Sequence, residues 1–499
     1  MVLPVSTKIT LGDVTYEQPT GLFINNQFVA AKNGKTLATV NPATEKVITE
    51  VHAADKDDVD IAVAAARKAY KTVWKKTPGA ERSKLLHKLA DLMEEHRATL
   101  TAIEAADSGK PRNNNATYDV DECINVFNYY GGWADKIQGK TIMESDDKFA
   151  FTRHQPFGVC GQIIPWNYPL AMAAWKIGPA IATGNVIVLK TAEQTPLSML
   201  YFGNLVVKAG FPPGVINIIS GYGKDAGAPL ASHMDVDKIA FTGSTATGKL
   251  IMQMAAASNL KAVTLECGGK SPMLVFDDAD FEQAVKWAVF GIMYNQGQVC
   301  CATSRLYVQD TIYDKFVKAI KAEVEASTKM GDPFNDEVGH GPQVTDVQQK
   351  RVLSYIDAGK KEGATLVTGG EAGSSGNGFY IKPTVFADVK PEMTIVREEI
   401  FGPVVVVGKF STEEEALELA NDTIYGLGAA IFTQNITRAH KLANEIDAGT
   451  VWINSTNDSD IRIPFGGFKM SGIGSELGEY GLKTYTQVKS VQINLGSRL

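Results

Sequence analysis

The chain has 499 residues, of which 44% are hydrophobic and 21% charged, and its 49 basic and 56 acidic side chains give a net charge of −7. At roughly 150 residues per domain this length favours about three domains, and a chain of this size needs no disulfide or structural metal to fold. The mild acidity gives no basic footprint for nucleic acid, and the apolar content excludes a disordered acidic chain. The composition favours a multidomain globular enzyme.

The first half of the chain predicts helices and then a parallel sheet. Apolar residues three and four apart predict helices over 56–74, 80–106 and 115–135. Beyond them, β-branched runs alternate with helical stretches at about 25–30 residues per unit, the pattern of βαβ crossovers. The predicted strands are 158–164, 185–190, 215–219, 238–241 and 262–267. The helices predicted between them are 170–181, 196–208 and 248–257.

A second alternating series predicts a second α/β domain, with a cleft between the two. Its predicted strands are 273–276, 305–308, 404–407, 429–433 and 450–454. Its predicted helices are 280–294, 311–327, 343–362, 413–421 and 436–446. Two extended segments, 139–156 and 484–495, lie outside both series. Because exposed strands can add to another subunit's sheet, they are candidates for oligomerisation, although a plain surface hairpin is nearly as well supported.

The five cysteines are odd in number and include no C-x-x-C pair, which disfavours a disulfide framework or a structural zinc site. We therefore expect no metal. Cys123 and Cys160 lie in apolar-periodic stretches typical of buried thiols. The adjacent pair Cys300 and Cys301 lies in a different setting, just after a glycine-containing turn.

The sequence offers little evidence for membrane or export targeting. No apolar run approaches the roughly 18 residues of a membrane span, and the N-terminus resembles neither a secretory signal nor a transit peptide. We therefore expect a cytoplasmic protein without a membrane partner. The last three residues, Ser497, Arg498 and Leu499, are similar to the S-K-L peroxisomal address with Arg in place of Lys. The peroxisome is thus the second candidate compartment, and a chance terminus competes with it.

Residues 243–249 (GSTATGK) follow a predicted strand, open a helix and match the G-x-x-x-x-G-K phosphate loop. Leu250 occupies the position whose hydroxyl would hold Mg²⁺, which argues against an NTPase. A Gly-Ser-Thr turn at a helix N-terminus still presents N–H groups to an anion such as pyrophosphate. We predict a phosphate site at Gly243 and Ser244 without ATP hydrolysis. A plain strand-to-helix turn is compatible with that interpretation.

A weaker dinucleotide signal lies nearby. Gly221, Gly223 and Gly227 form G-x-G-x-x-x-G, one residue longer than the usual fingerprint. Lys190 and Glu193 follow a strand end, where such a pair can hydrogen-bond ribose hydroxyls. A 2′-phosphate beside Glu193 would be repelled by roughly 4 kcal/mol per charge pair at about 4 Å and intermediate dielectric. Glu193 therefore favours NAD over NADP, and a solvated surface pair is the alternative.

Three short segments carry candidate chemistry. Residues 297–300 (GQVC) place Cys300 after an apolar helix, and 264–270 (TLECGGK) place Glu266 at a strand end beside two glycines. Residues 164–169 (IPWNYP) place Asn167 on a proline-bracketed turn. With 399–404 (EIFGPV) and 464–467 (PFGG), these segments resemble the aldehyde dehydrogenase superfamily, in its NAD-dependent branch that oxidises acetaldehyde and fatty aldehydes. The resemblance spans essentially the whole chain.

The resemblance implies oxidation of small aliphatic aldehydes, acetaldehyde among them, to carboxylic acids with NAD. The implied nucleophile is Cys300, whose thiolate adds to the aldehyde to give a thiohemiacetal. The implied oxyanion donors are the Asn167 side chain and the backbone N–H of Cys300. Hydride transfer leaves a thioester, which Glu266 hydrolyses by activating water.

The resemblance also implies the domain organisation and further site residues. It implies a Rossmann-like NAD-binding domain (1–138 and 157–267), an α/β catalytic domain (268–474) and a small β oligomerisation element (139–156 and 484–499) in a homotetramer or homodimer. Lys176 and Glu476 match residues of a proton relay. The candidate walls of the aldehyde tunnel are Tyr168, Trp175, Tyr294 and Phe465. The implied NAD-binding residues are Ile164, Trp166, Lys190, Glu193, Gly223, Gly243, Ser244, Glu399 and Phe401.

Several alternatives remain open from the sequence. A semialdehyde or betaine-aldehyde dehydrogenase on the same scaffold would want a charged tunnel residue, for which Arg462 is the nearest candidate. A catalytically inactive binding or structural protein is disfavoured, because all three catalytic residues are present.

Two residues near the site depart from the family pattern. Cys267 replaces the commoner Leu after the catalytic Glu, and Ser459 replaces an aromatic residue, which could widen the tunnel.

Overall fold

Strands and helices alternate along most of the chain in a computed structural model, which describes residues 3–373 and 377–496. The strands are β1 (Ser6–Leu11), β2 (Val14–Pro19), β3 (Leu22–Ile24), β4 (Gln27–Val29), β5 (Thr36–Asn41), β6 (Lys46–His52), β7 (Thr141–Ser145), β8 (Lys148–Pro156), β9 (Val159–Ile163), β10 (Val186–Lys190), β11 (Ile216–Ile219), β12 (Lys238–Thr242), β13 (Ala262–Glu266), β14 (Pro272–Val275), β15 (Arg305–Gln309), β16 (Thr365–Thr368), β17 (Thr384–Ala387), β18 (Val404–Phe410), β19 (Gly428–Phe432), β20 (Thr450–Ile453), β21 (Gly472–Ile473) and β22 (Thr486–Asn494).

The helices complete the two series. They are α1 (Lys56–Thr72), α2 (Gly79–Glu95), α3 (Arg97–Ser108), α4 (Thr117–Trp133), α5 (Pro169–Ala182), α6 (Leu197–Ala209), α7 (Ala228–Ser232), α8 (Thr245–Ser258), α9 (Phe281–Met293), α10 (Tyr313–Ser327), α11 (Asp346–Lys361), α12 (Thr394–Arg397), α13 (Glu413–Asn421), α14 (Ile436–Glu445) and α15 (Gly478–Lys483). Among the described residues, none of these helices combines the length and apolar character required to cross a membrane.

The first sheet has the strand order β21-β13-β12-β9-β10-β11-β3-β4. Strands β9 to β13 are parallel to their neighbours in this group, and they confirm the predicted strands of the first series. β9, β10, β11 and β12 are buried along their whole length, as expected of β-branched strands in a sheet covered on both faces. Because parallel strands end at the same edge, the loops that follow them meet there.

The second sheet has the order β16-β17-β18-β15-β14-β19-β20 and is parallel except for the β16–β17 pair. It contains the five strands predicted in the second series. The two sheets therefore confirm the predicted α/β fold. Residues 267–271 connect β13 of the first sheet directly to β14 of the second, and Cys300 lies between α9 and β15. The segments that carry the predicted chemistry thus come from both sheets.

The predicted extended segments form a third, antiparallel sheet with the order β22-β8-β7. β7 and β22 are its outer strands, and on them Met143 is 74% and Val488 63% exposed. Exposed apolar side chains on an outer strand suit the addition of another subunit. The oligomerisation role of this sheet remains a prediction.

The prediction of one helix over 80–106 is wrong in one respect, because the structure has two helices there, separated at His96. α2 ends at Glu95, and His96 leaves helical geometry with φ −104° and ψ 14° before α3 starts. The His96 ring bonds the Tyr201 hydroxyl at 2.7 Å and Lys208 Nζ at 3.0 Å, both on α6. A tertiary contact therefore fixes the break, and the apolar periodicity on either side does not reveal it.

The sequence pattern also missed the N-terminal strands. β1–β2 and β5–β6 form separate antiparallel pairs, and β3 joins the edge of the first sheet beside β11. β3 and β4 have three residues each, too few for a clear period of two. The longer β1, β2, β5 and β6 precede the alternating series from which the strands were predicted. The predicted domain limits remain a prediction; β21, from the predicted catalytic segment, pairs with β13 of the first sheet.

A buried lysine joins α3, α4 and the turn that precedes α5. Lys110 Nζ lies 2.5 Å from Asp119 Oδ2 and 3.6 Å from Glu104 Oε2, and all three side chains are almost completely buried. The same ammonium donates to the main-chain carbonyl of Asn167 at 2.9 Å. A buried charge is tolerated only when it is paired and hydrogen-bonded, as this one is. The cluster therefore anchors Asn167 to two helices.

We expect Lys110→Met to lower the free energy of unfolding by about 3–5 kcal/mol, because Glu104 and Asp119 would stay buried without their cation. Lys84→Met is the matched control, since Lys84 and its partner Glu81 are exposed and such a pair contributes about 1 kcal/mol or less. Urea unfolding of both variants beside the wild type measures the difference. Equal effects of the two substitutions would contradict the role of the cluster.

Candidate active site

A cavity of about 940 Å³ opens where the carboxyl edge of the first sheet meets the segment after α9. The predicted site residues that line it are Trp166, Asn167, Tyr168, Trp175, Gly243, Ser244, Tyr294, Cys300, Glu399, Phe401 and Phe465. Other predicted residues lie outside its lining, namely Ile164, Lys176, Lys190, Glu193, Gly223, Glu266 and Glu476. The structure therefore brings the predicted nucleophile, the predicted amide donor and the four predicted tunnel residues to one cavity.

Cys300 follows a left-handed turn at the end of α9. Asn295, Gln296 and Gly297 have φ of 48°, 56° and 70°, a conformation that residues with a side chain rarely adopt. A Cβ at Gly297 would lie 2.1 Å from the carbonyl oxygen of Gly402, so only glycine fits there. The turn delivers the partly buried Cys300 to the cavity wall.

Asn167 is hydrogen-bonded to the segment that carries Cys300. Its Nδ2 donates to the Gln298 carbonyl at 2.8 Å, and Asn295 Nδ2 donates to the Asn167 carbonyl at 3.2 Å. Lys110 donates to that same carbonyl. An amide nitrogen has two N–H groups, so this hydrogen bond leaves the second N–H of Asn167 for another acceptor.

Three thiols lie in the cavity wall, those of Cys267, Cys300 and Cys301. The side-chain contact with Cys301, followed by burial, raises the pKa of Cys300 well above its ordinary value. Cys301 Sγ lies 3.3 Å from Asn457 Oδ1, to which it donates. Burial raises the pKa of Cys267 to about 12. Since only the thiolate is a good nucleophile, Cys300 needs a base before it can react.

Glu266 is the last residue of β13 and is held between two main-chain neighbours. Its carbonyl accepts from Gly243 N at 3.0 Å, and its backbone is paired with Gly472. The Glu266 side chain is 5% exposed, and no donor to its Oε2 is found within the described residues. Burial, and then the charge of Glu476, raise the pKa of Glu266 well above its ordinary value. A carboxylate with a raised pKa is suited to accept a proton near neutral pH.

The predicted relay residues meet next to Glu266. Lys176 Nζ lies 2.5 Å from Glu476 Oε1 and also donates to Thr242 Oγ1 at 2.5 Å. Lys176 is fully buried and Glu476 is 6% exposed. The Lys176 charge opposes the rise in the pKa of Glu266, and Glu476 promotes it. The three ionisable groups are thus electrostatically linked behind the cavity.

The predicted ribose and phosphate residues share the carboxyl edge of the first sheet. Lys190 ends β10 with its Nζ 3.4 Å from Glu193 Oε2, and its carbonyl accepts from Ile164 N at 3.2 Å. Gly223 begins a π-helical turn after β11. Ser244 caps α8, its Oγ accepting from Thr247 N at 3.3 Å. Of these residues Ser244 lines the cavity, whereas Lys190, Glu193 and Gly223 lie along the same edge outside its lining.

The Glu399 side chain lies against the backbone of two glycines, Gly268 and Gly269. Its Oε1 accepts from Gly269 N at 3.0 Å, and a Cβ on Gly268 would lie only 2.0 Å from its Oε2. Burial raises the pKa of Glu399 to about 7. Nearby, the rings of Trp166 and Phe401 meet edge to face with centroids 5.3 Å apart. These groups line the part of the cavity between Cys300 and the strand edge.

The predicted tunnel walls line the other part of the cavity. Trp175 packs edge to face on Phe465, with ring centroids 5.4 Å apart, and its indole N–H donates to Glu122 Oε1 at 2.8 Å. Sequence reasoning missed Glu122 and the other α4 residues of the lining. The polar residues 118, 122, 125 and 129 recur at helical spacing, which was the available signal. Arg462, the charged candidate, lines the cavity but pairs with Asp460 at 2.5 Å.

Comparisons with known proteins agree with this geometry. The family model of the aldehyde dehydrogenase family matches residues 28–491. An aldehyde dehydrogenase of Emericella nidulans is 55% identical over 99% of both chains, and a Saccharomyces cerevisiae aldehyde dehydrogenase whose name specifies NAD(P)+ is 51% identical over 97% of this chain and 96% of its own. An NAD+ complex of a Bacillus cereus aldehyde dehydrogenase superposes with a TM-score of 0.94 at 50% identity, covering 98% of this chain and all of the other. The chain belongs to the aldehyde dehydrogenase family.

The raised pKa of Cys300 makes its alkylation strongly pH-dependent. We expect the rate of reaction with iodoacetamide to keep rising through about pH 9, because the thiol remains mostly protonated below its raised pKa. Mass spectrometry of the Cys300 peptide over a pH series measures the rate, with the buried Cys160 as an internal reference. A plateau below about pH 8 would show that the resting thiol is already ionised.

Proposed function

We propose that the protein oxidises aliphatic aldehydes such as acetaldehyde to carboxylic acids with NAD+, through a thioester on Cys300. The observation that carries the proposal is the hydrogen bond from Asn167 Nδ2 to the Gln298 carbonyl, which ties Asn167 to the segment that carries Cys300 at the cavity. This contact supports the proposal, because a tetrahedral oxyanion at Cys300 requires a nearby amide donor. The aromatic walls beside them suit the aliphatic chain of a small aldehyde.

The groups at the carboxyl edge of the first sheet fit NAD+. The N–H groups at the start of α8, beside Gly243 and Ser244, suit the pyrophosphate. Lys190 and Glu193 suit the adenosine ribose, and the Glu193 carboxylate repels a 2′-phosphate, which favours NAD+ over NADP+. Glu399 suits the second ribose, next to the side-chain-free backbone at Gly268. NAD+ held by these residues would supply the acceptor for the hydride that leaves the former aldehyde carbon.

The first half-reaction builds and then oxidises a covalent adduct. Glu266 takes the thiol proton, and the Cys300 sulfur forms a bond to the aldehyde carbon. The negative charge moves to the former carbonyl oxygen, to which Asn167 Nδ2 and the backbone N–H of Cys300 donate. When hydride leaves the carbon, the C=O bond re-forms and a thioester remains on Cys300.

The second half-reaction frees the acid. Glu266, after passing its proton on, takes a proton from water while the water oxygen attacks the thioester carbon. The carbon–sulfur bond breaks, the carboxylic acid leaves and the Cys300 thiol is restored. Lys176 and Glu476 supply a buried chain of groups through which Glu266 exchanges protons with its surroundings.

The assembly and location proposed with this function follow the sequence analysis. We expect a homotetramer, or a homodimer, built through the outer strands β7 and β22, and we expect it in the cytoplasm. The alternative peroxisomal location depends on Ser497, Arg498 and Leu499, which lie outside the described residues.

Replacing the nucleophile tests the proposed function. We expect Cys300→Ala to reduce NADH formation from butanal and NAD+ by at least about a thousandfold, because no covalent adduct can form. Cys301→Ala is the matched control and should retain readily measured NADH formation, since it removes the neighbouring thiol and keeps the nucleophile. Absorbance of NADH follows both reactions. NADH formation by Cys300→Ala at the wild-type rate would contradict the mechanism.

A further inference from the structure

α4 forms one wall of the aldehyde tunnel and presents polar side chains to it. The α4 residues that line the cavity recur mostly three and four positions apart; they are Tyr118, Asp119, Asp121, Glu122, Asn125, Asn128 and Tyr129. The opposite side of the helix is apolar and buried, with Val120, Cys123 and Phe127. α4 thus adds carboxylates and the amides of Asn125 and Asn128 to a cavity whose predicted tunnel residues are aromatic.

Three carboxylates of α4 line the cavity, and Glu122 differs from Asp119 and Asp121 in its partners. The exposed Asp458, which lies outside α4, also lines the cavity without an ion pair in the described part of the chain. Asp119 pairs with Lys110, Asp121 with Arg97 at 2.6 Å, and Asp460 with Arg462. For Glu122, no ion pair with a lysine, arginine or histidine is found within residues 3–373 and 377–496. The charges of Asp119, Asp121 and Asp460 are therefore matched by the protein itself, and that of Glu122 is left for a ligand to match.

The position of Glu122 is fixed by an aromatic residue of the tunnel. Trp175 donates to Oε1, and Trp175 is itself packed against Phe465. No donor to the second oxygen, Oε2, is found in the described part of the chain. A rigid carboxylate with one open oxygen is a ready acceptor for a charged N–H group. The aromatic faces beside it also attract a cation.

From this geometry we propose that Glu122 makes the tunnel selective for aldehydes that carry a cationic amine at the end of the chain remote from the aldehyde group. The proposal rests on the proposed aldehyde oxidation at Cys300 and names its substrate class. The ammonium group donates to Glu122 Oε2 while the aldehyde carbon reaches Cys300. An anionic semialdehyde meets like charge at the same place, which disfavours it. Arg462 does not offset this, because it is 74% exposed at its side chain and already paired.

Two aldehydes of equal size test the proposal in the full-length enzyme. 3-Aminopropanal and butanal have the same number of heavy atoms and differ in the charge of the terminal group, and at about pH 8 the amine is protonated. We expect the wild type to use 3-aminopropanal with the higher kcat/KM. Glu122→Gln keeps an acceptor for Trp175, and we expect it to lower the ratio of the two kcat/KM values by roughly ten- to a hundredfold, mainly through KM.

A control and an anionic substrate complete the design. Glu81→Gln removes the same charge from an exposed position on α2 and should leave the ratio within about twofold of the wild-type value. Succinate semialdehyde should react less well than butanal with the wild type. Wild-type preference for butanal or for succinate semialdehyde over 3-aminopropanal would overturn the proposal, and so would an unchanged ratio in Glu122→Gln. If butanal gives no Cys300-dependent NADH, the proposed function itself fails, which distinguishes the two failures.

Discussion

The hydrogen bonds between Asn167 and the segment that precedes Cys300 hold the site together. They join a turn after β9, which belongs to the first sheet, to the end of α9, which belongs to the second unit of the fold. The left-handed turn at Asn295, Gln296 and Gly297 is unfavourable by itself, and these bonds stabilise it. Lys110 donates to the same Asn167 carbonyl as Asn295 and so anchors the turn that carries Asn167. The thiol and its amide donor are therefore placed by one connected set of contacts.

The electrostatics of the site follow from burial. The pKa values of Cys300 and Glu266 are both raised above their ordinary ranges, so each group holds its proton more tightly than it would in water. Burial costs less for neutral groups than for charged ones, and a neutral thiol is protected from indiscriminate reaction. Within the buried Lys176–Glu476 pair, the charge of Glu476 raises the pKa of Glu266 and the charge of Lys176 lowers it. A base and a nucleophile that exchange one proton can then be activated together when substrate arrives.

The sequence predicted most of the fold because the central strands are short apolar runs rich in β-branched residues, with clear helical patterns between them. It also predicted Cys300 and Asn167, which line the cavity, and Glu266, which lies outside the lining, because all three belong to short segments with few alternative arrangements. What it could not supply depends on tertiary contacts. The break at His96 is set by α6, and the three-residue strands β3 and β4 have no periodicity to detect. The hydrogen bond from Trp175 on α5 to Glu122 on α4 could not be predicted, because it depends on how the two helices pack together.

The central claim is a covalent acyl intermediate on Cys300, and trapping that intermediate tests it most directly. At alkaline pH, where part of the Cys300 thiol ionises without a base, Glu266→Gln should form the thioester and hydrolyse it slowly, because the base that activates water is missing. Brief mixing of this variant with butanal and NAD+, acid quenching and peptide mass spectrometry would locate the adduct. The account predicts a butanoyl group on the peptide that contains Cys300, formed only when NAD+ is present. A butanoyl group on another residue, or none on Cys300 while NADH is produced, would contradict it.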